Sequence, residues 1–199
     1  MRRVPWWAVV SAAAAPVFLI GGWTVGAALQ PAGYDPVTDT ISALAAHGAT
    51  DRWVMTTGLA GLGACHFVTA LGLRPAGRPG RVALGVGGVA TMLVAAFPQP
   101  DMGASTAHFW AATTGFVTLA VWPVLAWRNR MGLVTSIALL GTVGWFAVEL
   151  FGKGDLIGLS ERFVAGSQAL CPLVAVVVLR RLQARAGAEP RAGRSRVVR

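Results

Sequence analysis

Apolar residues run along this chain in long uncharged blocks, broken at intervals by short polar clusters rich in Gly, Pro, Asp and Arg. The first block reaches from Trp6 to Ala28 and gives way to "GYDPVTDTIS" at 33–42, where two aspartates, two threonines and a serine follow in quick succession. A helix needs about 17–25 residues to cross a hydrocarbon core of about 30 Å. Uncharged stretches of that order recur at 6–28, 53–73, 82–97, 106–127, 131–151 and 163–179, the third and sixth being the shortest. The pattern predicts an all-α fold, a six-helix transmembrane bundle. Residues 1–181 form one membrane domain on this reading, and 182–199 a basic tail, disordered for want of apolar content. The tail serves as a topology determinant or rests on anionic headgroups.

Composition agrees with the periodicity: 55% of the 199 residues are hydrophobic and 13% charged. The mean hydropathy of +0.60 lies above that of an average soluble domain. A net charge of +9 would suit a nucleic-acid partner, but the placement of the arginines excludes it. Arg2 and Arg3 precede the first span; Arg74, Arg78 and Arg81 separate the second and third; Arg128 and Arg130 separate the fourth and fifth; Arg180, Arg181 and Arg185 follow the sixth. The other three loops keep only Arg52, Lys153 and Arg162. Arg-rich short loops stay cytoplasmic, so both termini are expected inside the cytoplasmic membrane. The start "MRRVPWW" has basic features of a leader, yet its apolar run continues through Phe18, Leu19, Ile20 and Trp23, which predicts a retained helix. Cys65 and Cys171 fall inside spans, without CxxC spacing, and read as packing residues.

Short connections such as "RNR" predict antiparallel neighbours in one bundle. Small residues at helical spacing would let backbones approach: Gly22 with Gly26, Ala60 with Ala64, and Ala107, Ala111 and Gly115. Trp6, Trp7, Trp122 and Trp127 fall near one boundary, and Tyr34, Trp53 and Trp110 near the other.

The polar chemistry gathers in the outward loops. The first reads as a short helix with Asp35 as N-cap, Pro36 at the first turn and Gly48 as terminator. Such a helix would place Asp35, Asp39 and Ser42 on one face and Val37, Ile41 and Leu44 on the other. Asp101 precedes His108 in the first turn of the fourth helix, with Ser105 as its cap. Asp155, Glu161 and Arg162 open the sixth helix, with Ser160 as its cap, and Glu149 lies near the end of the fifth. Every acidic residue except Glu189 is on or near this side. Capping and arginine retention account for much of that bias. The remainder is read as a vestibule of Asp35, Asp39, Ser42, Asp101, His108, Glu161 and Arg162, because ionisable groups at a membrane boundary need partners. A zinc site from His47, His108 and a carboxylate is chemically allowed, but no HxxxH or HExxH spacing supports it, and neither metal nor cofactor is expected. A Ser42–His108–Asp39 arrangement can be drawn, although no GxSxG turn carries the serine. His66 lies in mid-span, bonded on the simplest reading to a neighbouring threonine or carbonyl.

"GYDPVTDTISALAAHGATDRWVM", "FP" closing the third span, His108 and "GLSERF" together resemble the bacterial domain-of-unknown-function 998 family of multi-span membrane proteins. The resemblance implies six helices with polar motifs on one membrane face, and brings no activity. A fainter similarity, with "TDT" where the motif has "SDT", links the loop to the DRAM/Frag/Sfk proteins, implicated in membrane-lipid organisation. The function expected is recognition of a lipid headgroup or other polar ligand, with membrane lipids as partners. Hydrolysis or group transfer on a lipid or isoprenoid is the alternative. A transporter would need discontinuous helices and a polar path, and apart from His66, Glu149 and Gln168 the chain shows little of one.

Overall fold

The computed structural model describes residues 3–100 and 102–188. Among these the helices are α1 (Trp6–Ala28), α2 (Trp53–Gly72), α3 (Arg78–Ala96), α4 (Thr106–Ala126), α5 (Arg130–Gly152) and α6 (Ile157–Ala188), with a short 3-10 helix at Ser42–Ala45. The six long helices are each apolar enough to cross a membrane, and no strand occurs among the described residues. The all-α six-helix bundle expected from the hydrophobic blocks is therefore the fold.

Two helices outrun their uncharged blocks. α3 starts at Arg78 rather than 82, and α6 starts at Ile157 and continues to Ala188. In α6 the added residues include Glu161, Arg162, Arg180 and Arg181, good helix formers that end the apolar run without ending the helix. In α3 Pro79 falls in the first turn, where its missing N–H has no partner to lose. At 1.5 Å per residue the 32 residues of α6 extend about 48 Å, well beyond a hydrocarbon core of about 30 Å. The helix thus passes the boundary drawn at 181; residues 189–199 of the basic tail lie outside the described residues.

Consecutive helices pack on one another, and α6 returns to α1, closing the ring while also touching α2 and α4. Val4 ties the ends of the chain together: its N–H donates to Gln183 Oε1 at 3.3 Å, and its carbonyl accepts from Arg180 at 3.1 Å. Two apolar cores result. One, near the chain termini, contains Val4, Ala8, Leu73, Leu84, Trp122 and Val176. The other, below the loops, contains Leu19, Ile41, Leu44, Met55, Leu59 and Val94. Helix direction sorts the charge as well. Arg74, Arg78, Arg128 and Arg130 lie at the termini end, whereas Asp35, Asp39, Asp51, Asp155 and Glu161 lie at the loop end.

Glycine, rather than alanine, makes the closest helix crossings. A Cβ on Gly58 of α2 would sit 2.8 Å from the Phe18 carbonyl and 3.3 Å from Gly22 Cα of α1. Gly63 of α2 and Gly88 of α3 lie backbone to backbone in the same way. The Ala60/Ala64 pair expected to form this seam does not: Ala64 is exposed, as is Ala107 on α4, while Ala111 and Gly115 are buried. Helix α5 is packed more lightly. Its buried residues, Gly132, Ser136 and Leu139, all belong to its first half.

Gly63→Val pushes a side chain into the α3 backbone, which cannot yield as a flexible side chain would. We expect a loss of about 1–3 kcal/mol, read as a lowered Tm in detergent. Gly141→Ala, at a helical glycine with nothing within 4 Å of its absent Cβ, does not lower Tm.

Candidate functional site

The first loop is not the helix its caps suggest. Asp35 does cap, but only a local turn: its Oδ1 accepts from Val37 N at 2.9 Å, and its own N–H donates to Asp39 Oδ2 at 2.8 Å. That reciprocal turn uses up the helix-starting groups. Helical structure resumes only at Ser42–Ala45, where Thr40 Oγ1 accepts from Ala43 N at 3.0 Å. The apolar side of the expected helix survives in part, since Ile41 and Leu44 are buried in the core below the loop.

Two consecutive residues of α6 hold this loop down. Glu161 is buried, and its Oε2 accepts from the N–H of Ile41 and, at 3.4 Å, from Ser42 N. Its Oε1 lies 2.9 Å from Ser42 Oγ. Arg162 takes the loop's carbonyls instead, donating to Pro36 O at 2.7 Å and Asp39 O at 2.8 Å, with a further bond to Tyr34 Oη at 2.5 Å. Burial raises the Tyr34 phenol above its ordinary value, an effect that the Arg162 charge opposes. Gly158 allows the approach, because a Cβ there would strike the carbonyls of Pro36 and Asp39. α6 begins one turn before Ser160, so that serine is not its cap; Ser160 Oγ donates back to Ile157 O at 2.9 Å.

His108 completes the assembly from α4. Ser105 caps that helix as expected, accepting from His108 N at 3.2 Å. The ring is held at both nitrogens, with Nδ1 2.9 Å from the Phe97 carbonyl and Nε2 3.2 Å from Ser42 Oγ. Ser42, His108 and Glu161 are thus brought together, and Arg162 joins them through the loop. Asp35 and Asp39 stay in the turn. Asp101 lies outside the described residues. The order of the trio is acid, serine, histidine, and the Phe97 carbonyl stands where a catalytic triad would place its acid on Nδ1. Asp39 takes no part in it.

Beneath Ser42 and Glu161 a cavity of about 50 Å³ runs into the bundle between apolar walls that include Leu19, Leu59 and Phe116. His66, Thr91 and Gln168 also line it. Neither ring nitrogen of His66 has a partner, nor has Gln168 Oε1, although both residues are 1% exposed. The bonded histidine expected in mid-span is therefore an unpaired one. Beside the loop, an open hollow of about 460 Å³ is lined by His47, Arg52, Trp53, Phe97, Pro98 and Ser105. The Arg52 guanidinium lies 4.1 Å from the centroid of the Trp53 ring, which is 66% exposed. His47 faces this hollow, separate from the bonded ring of His108. Among the described residues no three His, Cys, Asp or Glu side chains gather as a metal-ligand set.

Sequence reading passed over the groups that join the loops. Gln30 bonds Thr50 in both directions, Nε2 to Thr50 O at 3.0 Å and Thr50 N to Oε1 at 3.1 Å. Gln99 accepts from Ser105 N at 3.2 Å, and its carbonyl accepts from His47 N at 3.1 Å. Uncharged amides at the ends of apolar blocks were the available signal. The Phe97 carbonyl leaves none.

Six apolar helices with a polar assembly at one end define a multi-pass α-helical membrane protein. The chain belongs to the family described as "Protein of unknown function (DUF998)", whose model matches residues 12–188. Among curated proteins and among solved structures, none matches it.

Arg162→Ala leaves the carbonyls of Pro36 and Asp39 without their charged donor. We expect the loop to open more easily by about 1.5–3 kcal/mol, seen as faster amide deuterium exchange across residues 36–45 with little change in α3 or α4.

Proposed function

We propose that the protein recognises a lipid headgroup at the loop end of the bundle, without chemical conversion, from the cytoplasmic membrane and with both termini cytoplasmic. The observation that carries this reading is the hollow of His47, Arg52, Trp53 and Ser105. Arg52, His47 and Ser105 line this open space, with the guanidinium resting on an exposed tryptophan of the kind that belongs at a membrane interface. Arg suits phosphate because its planar fork donates to two oxygens at once. The vestibule residues act as support: Glu161 and Arg162 fix the loop from which His47 faces the hollow. The orientation follows from the arginines at the termini end.

The alternative, hydrolysis or transfer on a lipid or isoprenoid, draws on one observation, a serine hydroxyl 3.2 Å from an imidazole nitrogen. The position of Glu161, on the serine rather than on His108 Nδ1 where an activating acid belongs, favours binding.

Lipid mass spectrometry of particles extracted with their native bilayer tests the two readings. Wild type is expected to retain anionic phospholipid several-fold above its share of the bulk membrane, and Arg52→Gln to lose that enrichment. Equal lipid composition in both proteins would sink the binding reading, and a time-dependent product lost in Ser42→Ala would replace it with the enzymatic one. For orientation, with Cys65 and Cys171 replaced by alanine, Thr38→Cys should react with an impermeant maleimide on intact cells and Arg128→Cys only after permeabilisation.

A further inference from the structure

The hydrogen bonds of the buried trio constrain where its protons are. The Phe97 carbonyl only accepts, so His108 Nδ1 carries a proton. Ser42 Oγ has one hydrogen and two polar neighbours, Glu161 Oε1 at 2.9 Å and His108 Nε2 at 3.2 Å. If the serine donates to Glu161, Nε2 must donate to the serine, and the trio is carboxylate, hydroxyl and imidazolium. If the serine donates to Nε2, Glu161 must donate to the serine, and all three groups are neutral. Both arrangements carry the same number of protons and zero net charge. Removing one proton breaks a bond in the chain, and adding one leaves the Ser42 hydrogen without an acceptor in it. The two states interconvert when the Nε2 proton moves to the serine oxygen and the serine proton moves to Glu161, with one N–H exchanged for one O–H and no change in oxidation state.

The cavity extends this chain. Ser42 and Glu161 line it, as do His66 and Gln168, two residues that carry buried polar atoms without a protein partner. A water needs about 10–15 Å³ of such space, so about 50 Å³ accommodates a few waters and no lipid tail. The far end differs in character. Beyond His66, towards the chain termini, lies the dry core of Ala70, Leu73, Leu84, Trp122 and Val176. The other charged or titratable groups facing the trio are Arg162 of α6 with Tyr34 and Asp39 of the loop, engaged with one another and with loop backbone. Across the cavity the titratable group on α2 is His66.

We propose that Glu161, Ser42 and His108 form a proton relay, and that water in the cavity connects it to His66, making the loop-end half of the bundle a proton well closed at its inner end. This reading is independent of the headgroup hollow and survives its failure. It assigns a role to His66, which otherwise stands as a buried imidazole with nothing to bond.

Histidine ¹⁵N NMR of the full chain in nanodiscs tests it, with His66→Gln and His108→Gln used for assignment. His108 should show a protonated Nδ1 and an Nε2 signal averaged between neutral and cationic positions. Glu161→Gln, whose amide can donate to Ser42 and still accept from the Ile41 N–H, should move Nε2 fully to the neutral position. Ser42→Ala should uncouple His108 from Glu161, and Ser42→Thr should restore the coupling. The well has its own control within the protein, because the Trp122 indole N–H is also buried and unpartnered but lies in the dry core. In D₂O the His66 ring proton should be protected at least tenfold less, relative to free imidazole, than the Trp122 N–H is relative to free indole. A His108 Nδ1 without a proton, or a signal indifferent to both Glu161→Gln and Ser42→Ala, would overturn the relay. Equal protection of His66 and Trp122 would overturn the hydrated path, and steady proton flux into dye-loaded proteoliposomes would overturn the closed inner end.

Discussion

A carboxylate sunk among membrane helices must find donors, and the architecture of the loop end follows from how Glu161 finds them. A buried charge without hydrogen bonds costs several kcal/mol. Here the donors come from the start of the 3-10 helix and from Ser42, so the first loop can satisfy Glu161 only by folding down over the bundle. Arg162, a helical step of about 100° further round, faces loop carbonyls and supplies the complementary half. One residue reads the loop's N–H groups and the next reads its C=O groups. A loop that misfolded would leave both charges stranded, which makes the closed arrangement specific as well as stable.

The same constraint explains why the two ends of the bundle differ. The termini end is closed by side chains that ask for nothing polar, such as Val4, Leu73, Leu84 and Val176. The loop end is closed by a polar lid, and the side chains beneath it, His66, Thr91 and Gln168, keep that polarity to the middle of the membrane domain. Close glycine crossings between α1 and α2, and between α2 and α3, set His66 in a stretch of helix whose backbone has little freedom to shift.

The fold was legible because a bilayer imposes a length on apolar runs, and a block such as 6–28 has few other readings. Part of the polar assembly was legible for a related reason: in a chain with so few charged residues, Asp39, His108 and Glu161 stood out as groups in need of partners. Asp39, however, finds its own within the turn, and the hollow of His47, Arg52 and Trp53 was not anticipated. What those partners are was not legible. Asp35 offers the same capping chemistry to a helix or to a turn, and only the reach of Asp39 back to Asp35 N decides for the turn. Ala60 and Ala64 look like a seam at helical spacing, yet the crossings fall at Gly58 against α1 and Gly63 against α3, and the choice depends on which faces of α2 meet its neighbours. The Phe97 carbonyl, which fixes the tautomer of His108, belongs to a backbone that every residue shares.

Helix α5 gives the structure an uneven stiffness. Past Leu139 it has no buried residue and is steadied mainly by ring contacts, Phe146 with Phe116 at 5.5 Å and Trp145 with Phe163 at 5.5 Å, and by Glu149, which accepts from Leu156 N at 3.2 Å. The other five helices resist displacement through tightly meshed backbones or a clamped loop, whereas this half of α5 can swing outward while giving up little contact. Of the bundle's seams, the one where this half of α5 runs beside α6 therefore has few buried side chains to hold it against outward movement.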